Sequence, residues 1–348
     1  MHRDGRALRK GRIASGECPS GIAAADVDDD GKPDLVVTND LDHTVSVLRN
    51  NGNGTFAPKV DYPTGSSPFS VAAADLDGDG KPDLAVANAG SNTVSVLRNI
   101  GNGTFAPKVD YPTGHRPGSV AAMDFDGDGK PDLAVANGFD QTVSVLRNGG
   151  NGTFAPKVDY PMGGAPGAIA AMDLDGDGRP DLAVANHDTN AVSVLRNMGN
   201  GTFAPKVDYA TGAFAFSVAT ADLDGDGKPD LAVANHDGNT VSVLRNNGDG
   251  TFAAKVDYPT GHRPSAVTAV DFDGDGVLDL AITNGFDATA SVLRNNGNGT
   301  FAASIDHATG GEPNAIAAVD LDGDGLPDLA VSNADDDTVS VLLATCSP

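Results

Sequence analysis

Tryptophan is absent from this 348-residue chain, glutamate occurs only as Glu17 and Glu312, and cysteine only as Cys18 and Cys346. Two isolated glutamates do not make the paired-glutamate site of a glycosidase, and without tryptophan the usual large platform for a sugar face is missing. Two cysteines give no disulfide framework and leave the redox compartment undetermined. Basic residues are scarce too, 23 against 48 acidic ones for a formal charge of −25, so no basic stripe offsets phosphate repulsion and nucleic-acid binding is excluded. No apolar run approaches the ~18 residues that cross a bilayer, so no membrane span is expected. Helical spacing does not persist for even two turns. The basic opening stretch lacks the apolar core of a secretory signal, which leaves two readings: a signal already removed, or a piece of a longer protein.

What the chain does have is one signature, D-x-D-x-D-G-x-x-D, seven times over. The first aspartates are Asp26, Asp75, Asp124, Asp173, Asp222, Asp271 and Asp320, each 49 residues after the last. A period of about 40–50 residues marks a propeller or solenoid, in which each unit buries its apolar face on its neighbours. Unbroken periodicity therefore makes residues 1–348 one domain, where length alone would suggest two.

Each unit parses into four short antiparallel strands, A to D. In the second unit, Ser66 to Gly114, strand A is the small apolar stretch from Phe69 into the acidic loop Asp75–Asp83. Strand B is Leu84–Ala87, strand C is Thr93–Leu97 with period-two alternation, and strand D runs from Thr104 to Tyr111 after the turn Asn99–Gly103. Asn-Gly between alternating runs signals a hairpin, because primed turns need positive φ. Alanine-rich strand A suits the crowded innermost position, so the fold class is all-β, a seven-bladed β-propeller with four antiparallel strands per blade. The chain stops soon after the seventh strand C (Thr338–Leu342), and residues 2–16 align with the strand-D segments, Asp4-Gly5 falling on the Asn53-Gly54 turn. The N-terminal strand is thus expected to complete the last blade and close the ring. That scheme puts Cys18 and Cys346 at opposite ends of the blade, which argues against a bond needing Cα atoms within about 7 Å.

The repeated loop is a set of hard oxygen ligands. Positions 1, 3 and 5 turn alternate carboxylates inward, glycine at position 6 allows the bend, position 7 offers a carbonyl, and position 9 adds a carboxylate. By unit these are Asp26, Asp28, Asp30, Lys32 and Asp34; Asp75, Asp77, Asp79, Lys81 and Asp83; Asp124, Asp126, Asp128, Lys130 and Asp132; Asp173, Asp175, Asp177, Arg179 and Asp181. The remaining units supply Asp222, Asp224, Asp226, Lys228 and Asp230; Asp271, Asp273, Asp275, Val277 and Asp279; Asp320, Asp322, Asp324, Leu326 and Asp328. Such a donor set suits Ca²⁺ better than Mg²⁺, which keeps its waters and a strict octahedron. About seven Ca²⁺, one per blade, would return fourteen positive charges and leave about −11. An EF-hand array is rejected: it needs flanking helices and a glutamate at position 12, which is Val86 in the second unit.

D-x-D-x-D-G-x-x-D-L within a blade-sized repeat, with G-T-F-A-P between repeats, resembles the FG-GAP/VCBS repeat of integrin α-subunit propellers and bacterial surface proteins. The resemblance covers residues 2–343. It implies a calcium loop joining strands A and B and a calcium-dependent recognition or adhesion role, and it names no ligand. Sites that fill at extracellular Ca²⁺ and stay empty in cytosol favour an extracellular or cell-surface protein, monomeric or part of a larger surface protein.

Differences between units locate candidate contacts. Strand alternation puts the A–B and C–D loops on one face, which is nearly uniform, and the B–C and D–A loops on the other, where the sequence varies; variable loops on a rigid scaffold usually carry recognition. The third and sixth units stand out, with His115, Arg116, Phe139 and Asp140 matched by His262, Arg263, Phe286 and Asp287. These residues are the candidate ligand site. Duplication of a three-blade block offers a plainer account of the match, and a local Arg–Asp ion pair a plainer role. His187 and His236 read as solvated turn residues, with metal ligation the alternative, and Arg49, Arg98, Arg147, Arg196, Arg245 and Arg294 as inter-blade contacts. The leading functional reading is a non-enzymatic scaffold for a glycan or protein ligand. Its alternatives are a polysaccharide lyase, with His115-Arg116 or His262-Arg263 neutralising a uronate, and a purely structural module.

Overall fold

The computed structural model describes residues 8–344, all of whose regular elements are β-strands. Seven four-stranded antiparallel sheets stand around a ring, and each strand A packs against the strands A of the neighbouring blades, Pro19–Ala25 meeting Pro313–Val319 at the closure. Blade two shows the pattern: strand A Pro68–Ala74, B Asp83–Asn88, C Thr93–Leu97 and D Val109–Pro112. Strand B is buried throughout, whereas strand D is the exposed outer edge. A proline ends strand D, and Lys108 pairs with Asp110 along it; both blunt an otherwise adhesive edge.

The ring closes as the sequence predicts. Leu8–Ala14 pairs with Thr338–Ala344, from Leu8 opposite Ala344 to Ala14 opposite Thr338, and so supplies strand D of the seventh blade. Asp4-Gly5 and Cys346, on which the turn alignment and the cysteine argument depend, lie outside the described residues. Apolar residues gather into seven clusters, each built from two consecutive blades. One joins Val36 and Val47 of blade one to Leu84 and Val86 of blade two, and another joins Leu35 to Leu321 and Val339 across the closure. A single blade therefore has no core of its own.

Strand D departs from the sequence parse. Only Val109–Pro112 pairs with strand C; Thr104–Phe105 instead forms a small hairpin with Asn99–Gly101. The cause is a latch onto the preceding blade. Asn99 is buried, its Nδ2 donating to the Val27 carbonyl at 2.8 Å and the Pro82 carbonyl at 3.1 Å while its Oδ1 accepts Gly101 N–H at 2.9 Å. Phe105 packs edge-on against Tyr62 of blade one at 5.3 Å, and Gly103, at φ +66°, donates to the Val27 carbonyl. The latch recurs at Asn50, Asn148, Asn197, Asn246 and Asn295, while the seventh position is Ala344. Asn148→Ala should cost about 1–3 kcal/mol in denaturant unfolding, because two buried carbonyls and the Gly150 N–H lose their partner. A loss of only a few tenths would show that water replaces the side chain.

Candidate functional site

The seven acidic loops join strands A and B, at the same face as the latches. In blade two, Asp75 caps its own loop, accepting Gly78 N–H at 2.7 Å and Asp79 N–H at 3.1 Å on one oxygen and Gly80 N–H at 2.9 Å on the other. Gly80 sits at φ +87°, which a side chain would oppose. Asp83 opens strand B, fully buried, accepting Leu76 N–H at 3.0 Å and Asn99 N–H at 2.7 Å. Asp75, Asp77 and Asp83 thereby bring one oxygen each within 4.8 Å of one another, and the same triad forms at Asp26, Asp124, Asp173 and Asp222 with their partners; two further acidic groups of this kind occur.

These clusters could hold a metal ion, and their chemistry fits one. Burial pushes Asp34, Asp83, Asp132, Asp181, Asp230, Asp279 and Asp328 up to about 6 despite their main-chain hydrogen bonds. Beside them Asp28 Oδ1, Asp224 Oδ1 and Asp273 Oδ1 are buried without a hydrogen-bond partner. A buried, partnerless carboxylate oxygen facing two more carboxylates is what a cation would satisfy. Position 5 is placed differently: Asp30, Asp79, Asp128 and Asp226 reach the lysine at position 7, and Asp177 reaches Arg179. Val277 and Leu326 offer Asp275 and Asp324 no such cation. The arginines closing strand C extend over the loops, Arg98 to Asp77 at 3.6 Å and Arg294 to Asp273 at 3.3 Å, and Arg245 donates to the Asn298 carbonyl of the next unit.

On the opposite face the matched residues do converge. Gly114, held by its N–H to Asn137 Oδ1 at 3.0 Å, sets the D–A turn of blade three against the B–C turn. The His115 ring is 2.8 Å from Asp140, whose carboxyl is held low, first by the His115 main-chain N–H and then by the ring. Arg116 lies over Phe139 at 5.2 Å. Blade six repeats the set, with His262 3.0 Å from Asp287 and Arg263 5.9 Å from Phe286. The aspartate's partner is thus histidine, not arginine as a simple ion pair would have it. Every other lysine or arginine side chain described beyond residue 10, Arg147 apart, has a carboxylate within 4 Å; Arg116 and Arg263 have none.

A feature that sequence reading missed lies between these sets. His187 and His236 are not solvated turn residues but stack with Phe214 and Phe216: His187 lies 4.6 Å from Phe214 and 5.0 Å from Phe216, near-parallel to both, and His236 5.4 Å and 5.6 Å from the same rings. Burial pulls His187 below the usual imidazole range. Gly167 makes room, since a Cβ there would meet His187 Nε2 at 1.8 Å. His187, Phe214 and Phe216, with Arg116 and Phe139, line a cavity of about 960 Å³, and His236, Arg263 and Phe286 a second of about 310 Å³. The signal was the A-F-A-F run at 213–216, which no other unit carries.

The FG-GAP-like repeat model matches six overlapping stretches, residues 26–86, 75–135, 124–184, 173–233, 222–282 and 279–331. The chain belongs to the FG-GAP-like repeat family. No curated protein matches it. Among solved structures, this FG-GAP repeat chain is similar to BBS1N, solved in complex with ARL6DN, at 14% identity over 98% of each chain with a TM-score of 0.69. It is similar to virginiamycin B lyase from Staphylococcus aureus at 15% identity, covering 97% of this chain and 100% of that one, with a TM-score of 0.69. It also resembles an Agrocybe aegerita lectin that recognises non-reducing terminal N-acetylglucosamine, at 25% identity over 86% of this chain and 80% of that one, with a TM-score of 0.57. The first two likenesses show the propeller fold alone.

Proposed function

We propose that this FG-GAP repeat protein is a calcium-stabilised extracellular recognition scaffold that binds a glycan on its B–C/D–A face. One observation carries the reading: two unpaired guanidinium groups, Arg116 and Arg263, stand over phenylalanine rings beside open cavities on an otherwise acidic protein. The lectin's likeness supports a saccharide over other ligands, and the hard oxygen triads support Ca²⁺ as the stabilising ion. Metal and ligand then occupy opposite faces, so Ca²⁺ acts by holding the blades in register and not by touching the glycan. A glycan array read with Ca²⁺ and with chelator tests this; loss of every signal in chelator supports it, and a blank array in Ca²⁺ defeats it.

The double variant Arg116→Ala/Arg263→Ala should weaken binding about tenfold or more while leaving calcium stoichiometry and melting temperature unchanged. If it binds as wild type while changes in the C–D turns abolish binding, the recognition face is the other one. A lyase reading draws on the His115–Asp140 pair beside Arg116, a base next to a charge neutraliser. Against it, the pair is duplicated at His262–Asp287 and no tyrosine lines the large cavity. Unsaturated uronate products, read by ultraviolet absorbance, would convert the scaffold into an enzyme.

A further inference from the structure

The two halves of the variable face are not alike. A three-blade duplication accounts for the match between Arg116 and Arg263, since these lie 147 residues apart. It does not account for the aromatic stack. Phe216 has a match in Phe69, but the duplicate positions of Phe214, His187 and His236 are Ser67, Ala334 and Ala89, so the full stack exists on one arc of the ring only. That arc, blades four and five, is the short way from Arg116 on blade three to Arg263 on blade six. Going round, the surface presents a cation, a run of near-parallel rings, and a second cation. His187 and Phe216 are inclined by only 1° and Phe214 and Phe216 by 19°, which makes the rings one slab.

Two further details point to an occupant. Phe214 adopts φ +60° and Arg116 and Arg263 φ +56°, a left-handed conformation that disfavours bulky side chains and that glycine would take at no steric cost. The turn requires the same conformation at Cys18, Ser67 and Glu312, so the strain itself marks no site; what distinguishes this arc is the large side chains carried there. In addition, His187 Nε2, within the stack, is buried with no hydrogen-bond partner, and Gln141 of blade three lines the same cavity. Acceptors and amides of this kind suit hydroxyl groups.

We infer that the blade-three-to-blade-six arc is a binding groove for an extended acidic saccharide. Carboxylates at two positions along the chain pair with Arg116 and Arg263, and the apolar faces of the intervening sugar rings lie on the His187–Phe214–Phe216 slab. This rests on the glycan reading above and names its ligand class. His115 and His262 serve it indirectly: by taking Asp140 and Asp287, they leave Arg116 and Arg263 with no carboxylate within 4 Å, Glu312 acting on Arg263 only at longer range. The metal carboxylates lie on the other face, away from an incoming anion. Linking two weak carboxylate contacts through one chain raises affinity by effective concentration, so length is part of recognition.

The probes are fragments of alternating glucuronate and N-acetylglucosamine, as a disaccharide and as longer oligosaccharides, each with its carboxyl-reduced neutral counterpart. They are titrated calorimetrically into the calcium-loaded full chain. A long acidic fragment should bind one to one and about a hundredfold tighter than the disaccharide. Arg116→Gln, Arg263→Gln and Phe214→Ser should each weaken it about tenfold, while Ile100→Ala, exposed on the opposite face, changes it less than about twofold. Gly167→Ala, which displaces the His187 ring, should weaken it as Phe214→Ser does. Unchanged calcium stoichiometry and melting temperature confirm that each variant is folded. Equal binding of the carboxyl-reduced fragment overturns the acidic class and leaves the glycan reading standing. A silent Arg263→Gln beside a damaging Arg116→Gln overturns the groove, as does an Ile100→Ala loss matching that of Phe214→Ser. No binding of any acidic fragment overturns the inference, and the broader reading falls with it only if neutral glycans also fail.

Discussion

Removing divalent metal with excess chelator should lower the melting temperature by roughly 10–20 °C or collapse the β-sheet signal outright. Each loop filled at roughly ten times its dissociation constant contributes about 1.4 kcal/mol by linkage, on the order of 10 kcal/mol over the ring. In a chain of 348 residues about 1 kcal/mol moves the midpoint by roughly 1–2 °C. The structure shows where the cost falls when metal leaves. Asp83 and its equivalents sit at the root of strand B with almost no exposed surface, and the same residue positions the latch by accepting Asn99 N–H. Repulsion among the carboxylates therefore acts directly on the junction between blades, and no blade has a core to fall back on. Calcium should restore the midpoint at lower concentration than magnesium. A midpoint unchanged within a few degrees in chelator would end the structural-metal claim.

The fold was legible because one period fixes so much. A fixed 49-residue spacing sets blade size, the strand directions and the closing role of the stretch 2–16 before any coordinate is known, and within it Leu8–Ala14 forms the closing strand. Asn99 was harder to read: it looks like a turn residue, yet its amide reaches a carbonyl 72 residues back in the chain. That contact exists only once blades stand side by side, so no local rule announces it, and it is what shortens strand D. For the site, pattern matching favoured what repeats. Arg116 and Arg263 were found because they match. Phe214 was passed over because it does not, and His187 was misread because the ring it stacks on belongs to the next blade's turn. Local sequence places His187 in a polar N-H-D-T-N turn; tertiary stacking overrides that.

The second large effect is a reversal of pH dependence by metal. An unfolded aspartate titrates near 3.9, whereas burial raises Asp83 and its equivalents to about 6. Between those values the folded, metal-free chain binds more protons than the unfolded one, so its stability rises as pH falls. This contribution is fully present below the unfolded value and is lost as pH climbs through about 6. Position-5 aspartates such as Asp79 pull the other way, their pKa lowered chiefly by the lysine hydrogen bond, but that stability disappears only below the ordinary carboxylate range, outside the window. With Ca²⁺ bound the sign inverts, because protons and metal compete for the same carboxylates and loaded loops empty as pH drops through about 6. Melting temperature against pH should then slope in opposite directions in chelator and in saturating Ca²⁺, the curves converging towards the acid end. At about 1.4 kcal/mol per pKa unit, even a one-unit shift shared by seven sites moves the midpoint by many degrees. A chelated protein more stable at pH 7.5 than at pH 5 would show that the position-9 carboxylates are not the buried charges that strain this ring.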